Sequence, residues 1–230
     1  MAFAAIAAAY ELLADPARLQ RELPFLSLWC SGERLLDLAC GSGEHLAALL
    51  AQGAISGGTG VDLEPAMIGR ALMRHTDPRL EFVQGDLRSA DPAGFGRVAL
   101  LGNAANCLAD GVALATLAQR LAPGARLLVQ VTNPARAGPD HNCVVRRRDD
   151  AIAVKTLVRS GERSLLTVTL HRLKGGRWIS ASDHQVLLRL GELELRAAVQ
   201  GFRSLRLLGG LDGSPYEPAS SSDCVLEAER

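Results

Sequence analysis

The feature that most constrains this chain is the rhythm of residues 34 to 131. Short apolar runs at 34–39, 58–63, 80–84, 98–101 and 126–131 read as strands, with helix-compatible segments at 43–52, 65–74 and 111–121 between them. The runs at 34–39, 98–101 and 126–131 are rich in Leu, Val and Ala, and short apolar runs separated by helices are the pattern of strands buried on both faces. Strands joined through helices make a parallel sheet with helices on both sides.

Both flanks depart from that rhythm. Segments 4–13 and 17–28 lack strand character and are separated by Asp15-Pro16, so two helices precede the first strand. Beyond Pro134 come stretches at 143–159, 163–173 and 178–190, rich in Val, Thr and Leu and parted by Ser160-Gly161 and Gly175-Gly176. Those pairs are turn formers, which predicts an antiparallel three-stranded meander inserted into the chain. A helix at 192–200 and strands at 204–208 and 223–229 close the sequence. The expected organisation is a single domain over 1–230. Within it, 1–33 forms an N-terminal helical segment, 34–133 the parallel core and 142–190 an inserted sheet. Residues 191–230 complete the core sheet.

The first strand runs into a glycine turn, Leu35-Leu36-Asp37-Leu38-Ala39-Cys40-Gly41-Ser42-Gly43-Glu44-His45. Gly41 and Gly43 permit positive φ and a close approach to the backbone, and the next helix points free N–H groups at the same place. A Gly-x-Gly turn alone is compatible with a purely structural bend or with a dinucleotide site, but Leu46 stands where the dinucleotide fingerprint needs a third glycine. The next two strands add acids. In Val61-Asp62-Leu63-Glu64-Pro65, Asp62 lies where a ribose would sit, and one carboxylate accepts from both hydroxyls. In Phe82-Val83-Gln84-Gly85-Asp86-Leu87, Asp86 is suited to an adenine amine. Either acid alone reads equally well as a loop or helix-cap residue. Three signals at three successive strand ends point to one nucleoside site.

Asp37 to Gly43, Asp62 and Asp86 together resemble the successive motifs of class I S-adenosylmethionine-dependent methyltransferases, over most of the chain. The resemblance implies an α/β, Rossmann-like seven-stranded sheet, mostly parallel with its last strand antiparallel, and S-adenosylmethionine as cofactor, with 1–33 as a helical lid, 34–133 as the cofactor-binding core and 142–190 as a sheet over the active site. It implies that Asp37 helps hold the methionine end of the cofactor. It also places Ala39, Leu63, Met67, Gly85, Leu87, Leu101 and Asn103 along the cofactor. Leu101-Gly102-Asn103-Ala104-Ala105-Asn106-Cys107-Leu108 is similar to the fourth motif of glycine N-methyltransferase and its small-molecule relatives, with Ala104 and Cys107 in place of Ser and His. Asn133-Pro134 occupies the place of the arginine that binds glycine's carboxylate, which disfavours glycine as substrate. Tyr10, followed by Glu11, resembles a tyrosine that closes over the cofactor. His184 falls on the third meander strand, where relatives carry a pocket histidine. Leu211-Asp212-Gly213-Ser214-Pro215-Tyr216 resembles the turn before the last strand in bacterial small-molecule methyltransferases. The candidate catalytic set is therefore Tyr10, Asn103, His184 and Tyr216. For Tyr10, His184 and Tyr216, ordinary packing or surface placement is the competing reading.

Composition narrows the partner. Twenty-five basic residues balance 25 acidic ones, leaving no bulk attraction to nucleic acid or to an anionic membrane. The tract Arg146-Arg147-Arg148 followed by Asp149-Asp150 reads as a solvated hairpin face. Five scattered cysteines without a CxxC pair indicate neither a disulfide framework nor a zinc site, and the apolar opening run reads better as an amphipathic helix than as a secretory signal, so reduced thiols and a cytoplasmic location are expected. The expected partner is a small-molecule methyl acceptor, an amine or a hydroxyl, and a homodimer is compatible with the sequence. A protein or tRNA methyltransferase, or an inactive cofactor-binding partner subunit, are the alternatives.

Overall fold

The computed structural model describes Ala7, Ala9 and residues 12–108, 111–136 and 141–230, without the side chains of residues 16, 141 and 142. The chain forms two compact units. One comprises Ala17–Ala137 with Leu190–Arg230, the other Met1–Pro16 with Gly138–Arg189.

The first unit holds a seven-stranded sheet. Its strands are β1 (Arg34–Leu38), β2 (Gly57–Asp62), β3 (Leu80–Gln84), β4 (Arg97–Leu100), β5 (Arg126–Thr132), β10 (Ser204–Leu208) and β11 (Asp223–Glu229). They lie in the order β10-β11-β5-β4-β1-β2-β3. Pairing is parallel from β3 through β5, and β11 runs antiparallel to both of its neighbours. This is the mostly parallel sheet with an antiparallel last strand that the sequence implies. β1, β4 and β5 are almost wholly buried, as their unbroken apolar runs require.

β2 is the strand whose sequence argues least for a strand, because Gly57, Gly58 and Gly60 all weaken it. Packing supplies the reason. A Cβ on Gly58 would stand 2.6 Å from Leu46 Cδ2, and one on Gly60 would stand 2.7 Å from Cys40 Sγ and 2.9 Å from Phe82 Cδ1. The glycines let the helix Glu44–Ala51 and the post-β1 turn press directly onto the sheet. That contact belongs to a core built from Leu23, Leu26, Leu35, Leu46, Leu49, Ala99, Leu128 and Val225, among others. Each such leucine, fully buried, stabilises the fold by roughly 1.5–3 kcal/mol.

The helix Pro16–Cys30 precedes β1, and the helices Pro65–Arg74, Gly111–Gln119 and Glu192–Ala198 follow the expected order. Glu64 caps the helix Pro65–Arg74 by accepting from Ala66 N, with Pro65 at its first position. A short 3-10 helix, Ala104–Cys107, was not foreseen.

The second unit corrects the strand count of the insertion from three to four. The strands β6 (His141–Arg148), β7 (Ala151–Ser160), β8 (Arg163–Lys174) and β9 (Arg177–Leu188) pair antiparallel in sequence order. The segment read as one strand turns at Asp149-Asp150, where two adjacent carboxylates resist burial in a strand and form the hairpin tip. One face of this sheet is apolar: Ala153, Val168 and Leu170 pack with Ala9, Leu12, Leu13 and Leu166. Ala7, Ala9, Leu12 and Leu13 are helical, as expected. Among the described residues no helix is long and apolar enough to cross a membrane.

Candidate active site

In an open parallel sheet, ligands bind beyond the carboxyl ends of the strands, at the point where neighbouring strands lead away in opposite directions. Here that point is β1, flanked by β2 on one side and β4 on the other. Register sets its contents, because Asp37 lies level with Gly60 of β2 and Ala99 of β4, while Asp62 lies level with Gln84 of β3.

The turn after β1 is held by the strand beside it. Ala39 N and Cys40 N donate to Val61 O at 2.7 and 3.1 Å, and Gly41 N donates to Asp62 Oδ2 at 2.8 Å. Ala39, Gly41 and Gly43 all have positive φ, at 62°, 57° and 79°. For Ala39, an L-residue in the left-handed region, this costs about 1–2 kcal/mol. Gly43 has a second constraint, since a Cβ there would lie 2.4 Å from Phe82 Cε1.

Asp62 also accepts from Glu64 N at 2.9 Å, so both its oxygens are oriented by backbone. Burial raises its pKa, against the lowering effect of those two hydrogen bonds. Asp37 is 2% exposed, and burial pushes it up to about 6, with His45 pulling it down and Asp62 pushing it further up. No side-chain or backbone donor among the described residues engages the Asp37 carboxylate. A buried carboxylate beside a second one is a natural seat for a cation. Asp86 differs: it is held below the usual carboxylate range, chiefly by the Arg88 side chain, which makes an ion pair with it.

The other cofactor candidates fall around the same strand ends. Met67 and Leu101 are buried, Leu87 and Gly85 half-buried, and Ala39 and Leu63 exposed. Gly85 N donates to Asp62 O at 2.9 Å, which ties the third strand end to the second. Asn103 sits in a left-handed turn with φ 73°, and its Oδ1 accepts from Thr132 N at 2.5 Å.

Of the catalytic candidates, Tyr216 belongs to the same unit. Its hydroxyl donates to Asn133 Oδ1 at 3.0 Å, and Asn133 in turn holds the carbonyls of Pro218 and Ser221. Burial raises the phenol to about 12, so at neutral pH it serves as a hydrogen-bond donor and not as a base. His184 lies in the second unit, on an exposed face of β9, with Nδ1 2.9 Å from Thr167 Oγ1. Tyr10 lies outside the described residues.

Sequence reasoning overlooked a polar chain beneath this site. Arg18 Nε donates to Glu22 Oε1 at 2.7 Å, and His45 Nε2 meets Glu22 Oε2 at 3.0 Å. Gln130 joins Arg18, Gly102 and Asp223. One signal was present: Gln130 is the single polar interruption of the buried run 127–131. No group of acidic, histidine or cysteine residues able to hold a metal ion occurs among the described residues.

Residues 35–124 match the family described as a methyltransferase domain. No curated protein matches the chain by sequence. Solved structures similar to it include CalS10 from Micromonospora echinaspora, an amino pentose methyltransferase solved with S-adenosylmethionine bound. It is 22% identical, with 100% of this chain and 98% of that chain covered and a TM-score of 0.72. The CcbJ methyltransferase from Streptomyces caelestis is 18% identical, covering 97% and 95%, with a TM-score of 0.77. The sugar N-methyltransferase KedS8 from Streptoalloteichus sp ATCC 53650 is 22% identical, covering 92% and 87%, with a TM-score of 0.74. At these identities the likeness establishes a shared fold over nearly the whole chain.

Proposed function

Starting from a methyltransferase domain of S-adenosylmethionine-dependent fold at residues 35–124, we propose that this protein methylates an amine or hydroxyl of a small molecule, with an amine preferred. The observation that carries the reading is Asp37. A carboxylate buried at the switch point of the sheet, without a donor among the described residues, fits the ammonium of a methionine moiety, while Asp62 fits ribose hydroxyls one strand away. Hydrogen bonds to such charged groups are worth roughly 1.5–3 kcal/mol each.

When bound, S-adenosylmethionine supplies a methyl group on a sulfonium, which an in-line nucleophile takes while the C–S bonding pair stays on sulfur. The protein's part is to bind and align. Asp37 holds the amino-acid end, Asp62 the ribose and Asp86 the adenine amine, with Gly41, Gly43, Gly85, Leu63, Met67, Leu87, Leu101 and Asn103 lining the remainder. Alignment and exclusion of water can contribute roughly 7–11 kcal/mol. An amine acceptor needs only to arrive unprotonated, which agrees with the lack of a base at Tyr216. Asn103 and Tyr216 of the first unit remain candidates for contacting the acceptor, and Tyr10 and His184 are carried as candidates on the family resemblance alone. Support for an amino sugar or related metabolite comes from CalS10 and KedS8, whose descriptions name an amino pentose and sugar N-methylation.

The test is incubation with radiolabelled S-adenosylmethionine, first with a panel of amino sugars and then with metabolite extract of the native host, followed by mass spectrometry of labelled products. Label in a small amine supports the proposal. Label only in phenols or acids overturns the amine preference, and label only in protein or RNA overturns the small-molecule reading.

A further inference from the structure

Gln130 stands in the middle of β5, only 3% exposed, where the neighbouring side chains are apolar. Its amide is engaged through both its oxygen and its nitrogen. Oε1 accepts from Gly102 N at 2.9 Å and from Arg18 Nη2 at 3.1 Å, and Nε2 donates to Asp223 Oδ2 at 2.9 Å. One side chain thus joins the turn after β4, the helix Pro16–Cys30 and the start of β11.

The turn it reaches is strained. Gly102 has φ 63° and Asn103 has φ 73°, and the 3-10 helix Ala104–Cys107 follows at once. Within that helix Asn106, 6% exposed, keeps a buried Oδ1 without a partner among the described residues. Such a turn does not persist on local preference, because left-handed non-glycine backbone and a buried carbonyl lacking a partner among the described residues are both unfavourable. β5 grips it at two points: Gln130 takes the Gly102 N–H, and Thr132 N donates to Asn103 Oδ1.

We propose that Gln130 is a positioning residue, which clamps the Gly102–Asn103 turn in the shape that cofactor binding requires; the proposal rests on the function assigned above. The chemistry of the clamp is specific. A glutamine is required because Oε1 must accept twice while Nε2 donates to a carboxylate, and glutamate would set two carboxylates face to face. The charged groups around the Gln130–Asp223 contact are Arg18 and Glu22 of the helix Pro16–Cys30 and Asp212 of the turn before β11.

Three variants test it, read by calorimetric affinity for S-adenosylhomocysteine and by amide exchange at Gly102. Gln130→Leu is expected to weaken affinity at least tenfold and to speed Gly102 exchange at least tenfold. Gln130→Glu, which keeps the shape should the leucine variant fail to fold, is expected to bind within about threefold of wild type at pH 5, where the carboxyl pair shares a proton. At pH 8 it should bind at least tenfold more weakly than wild type. Adding Asp223→Asn to Gln130→Glu reverses donor and acceptor, and should restore affinity to within about threefold at both pH values. A plain packing role would show neither the pH dependence nor the rescue. Wild-type affinity and a protected Gly102 in Gln130→Leu, a pH-independent deficit in Gln130→Glu, or failure of the double variant to recover each overturn the clamp. Absence of binding by the wild-type protein would instead overturn the proposed function, and Gly102 exchange would still decide whether the clamp exists.

Discussion

Replacing Asp37 with asparagine separates stability from binding in a way that depends on pH. Burial raises the Asp37 carboxyl from 3.8 to about 6. Each pH unit of displacement is worth about 1.4 kcal/mol, so the ionised side chain costs the folded protein roughly 3 kcal/mol at neutral pH. Below about pH 4 the carboxyl is neutral in both the folded and unfolded chain, and the cost vanishes. Between about pH 4 and 6 the unfolded chain has given up the proton while the folded chain retains it, so stability falls as pH rises. Above about pH 6 the full cost is present. Asp37→Asn removes it, and the ligand-free variant should therefore melt roughly 6–12 °C higher than wild type at pH 7.5, with a gain that shrinks toward zero near pH 4. The same substitution deletes the partner proposed for the cofactor's ammonium, so affinity for S-adenosylmethionine should fall at least tenfold. Wild-type affinity should rise between pH 5 and 7, as binding forces the proton off Asp37, and the variant should lack that dependence. Differential scanning calorimetry and titration calorimetry across this range read both effects. A variant that melts no higher than wild type at pH 7.5, or a wild-type affinity flat from pH 5 to 7, refutes the argument.

Asp62→Ala should weaken S-adenosylmethionine binding at least tenfold in titration calorimetry and loosen the Gly41 turn, and unchanged affinity would remove Asp62 from the site. Gly43→Ala combines a left-handed backbone with a Cβ driven into Phe82, and should lower thermal stability by about 1–3 kcal/mol or more, measured as a shift in denaturant midpoint. Tyr216→Phe removes the donor to Asn133 and should cost about 0.5–1.5 kcal/mol of stability; if Tyr216 serves only to brace this turn, methyl transfer at saturating substrate will be unchanged. Deleting residues 143 to 182, if the remainder folds, should abolish turnover while leaving S-adenosylhomocysteine binding largely intact, and retained turnover would count against the insertion governing the acceptor.

The strand-end acids of the proposed cofactor site could be picked out because each is marked locally in the sequence. Asp37, Asp62 and Asp86 each stand at or just beyond the end of an apolar run, and the parallel sheet they announce carries strand ends to one edge. The fourth strand of the insertion was missed because its turn, Asp149-Asp150, carries neither glycine nor proline. Gln130, Arg18 and Asp223 escaped for a different reason. Gln130 meets Arg18 across 112 residues and Asp223 across 93, and no periodicity records a hydrogen bond between such distant positions.

Local patterning alone determined the order of the core strands and helices, the parallel run of β1 to β5 and the strand-end acids, because burial on two faces and turn chemistry act over a few neighbouring residues. Tertiary structure decided what those residues became. Glycines in β2 turned out to be places where a helix and Phe82 press close, Asp37 became a carboxyl whose pKa burial raises to about 6, and a lone glutamine became the tie between three elements. Burial and long-range pairing set these properties, and both exist only once the chain has folded.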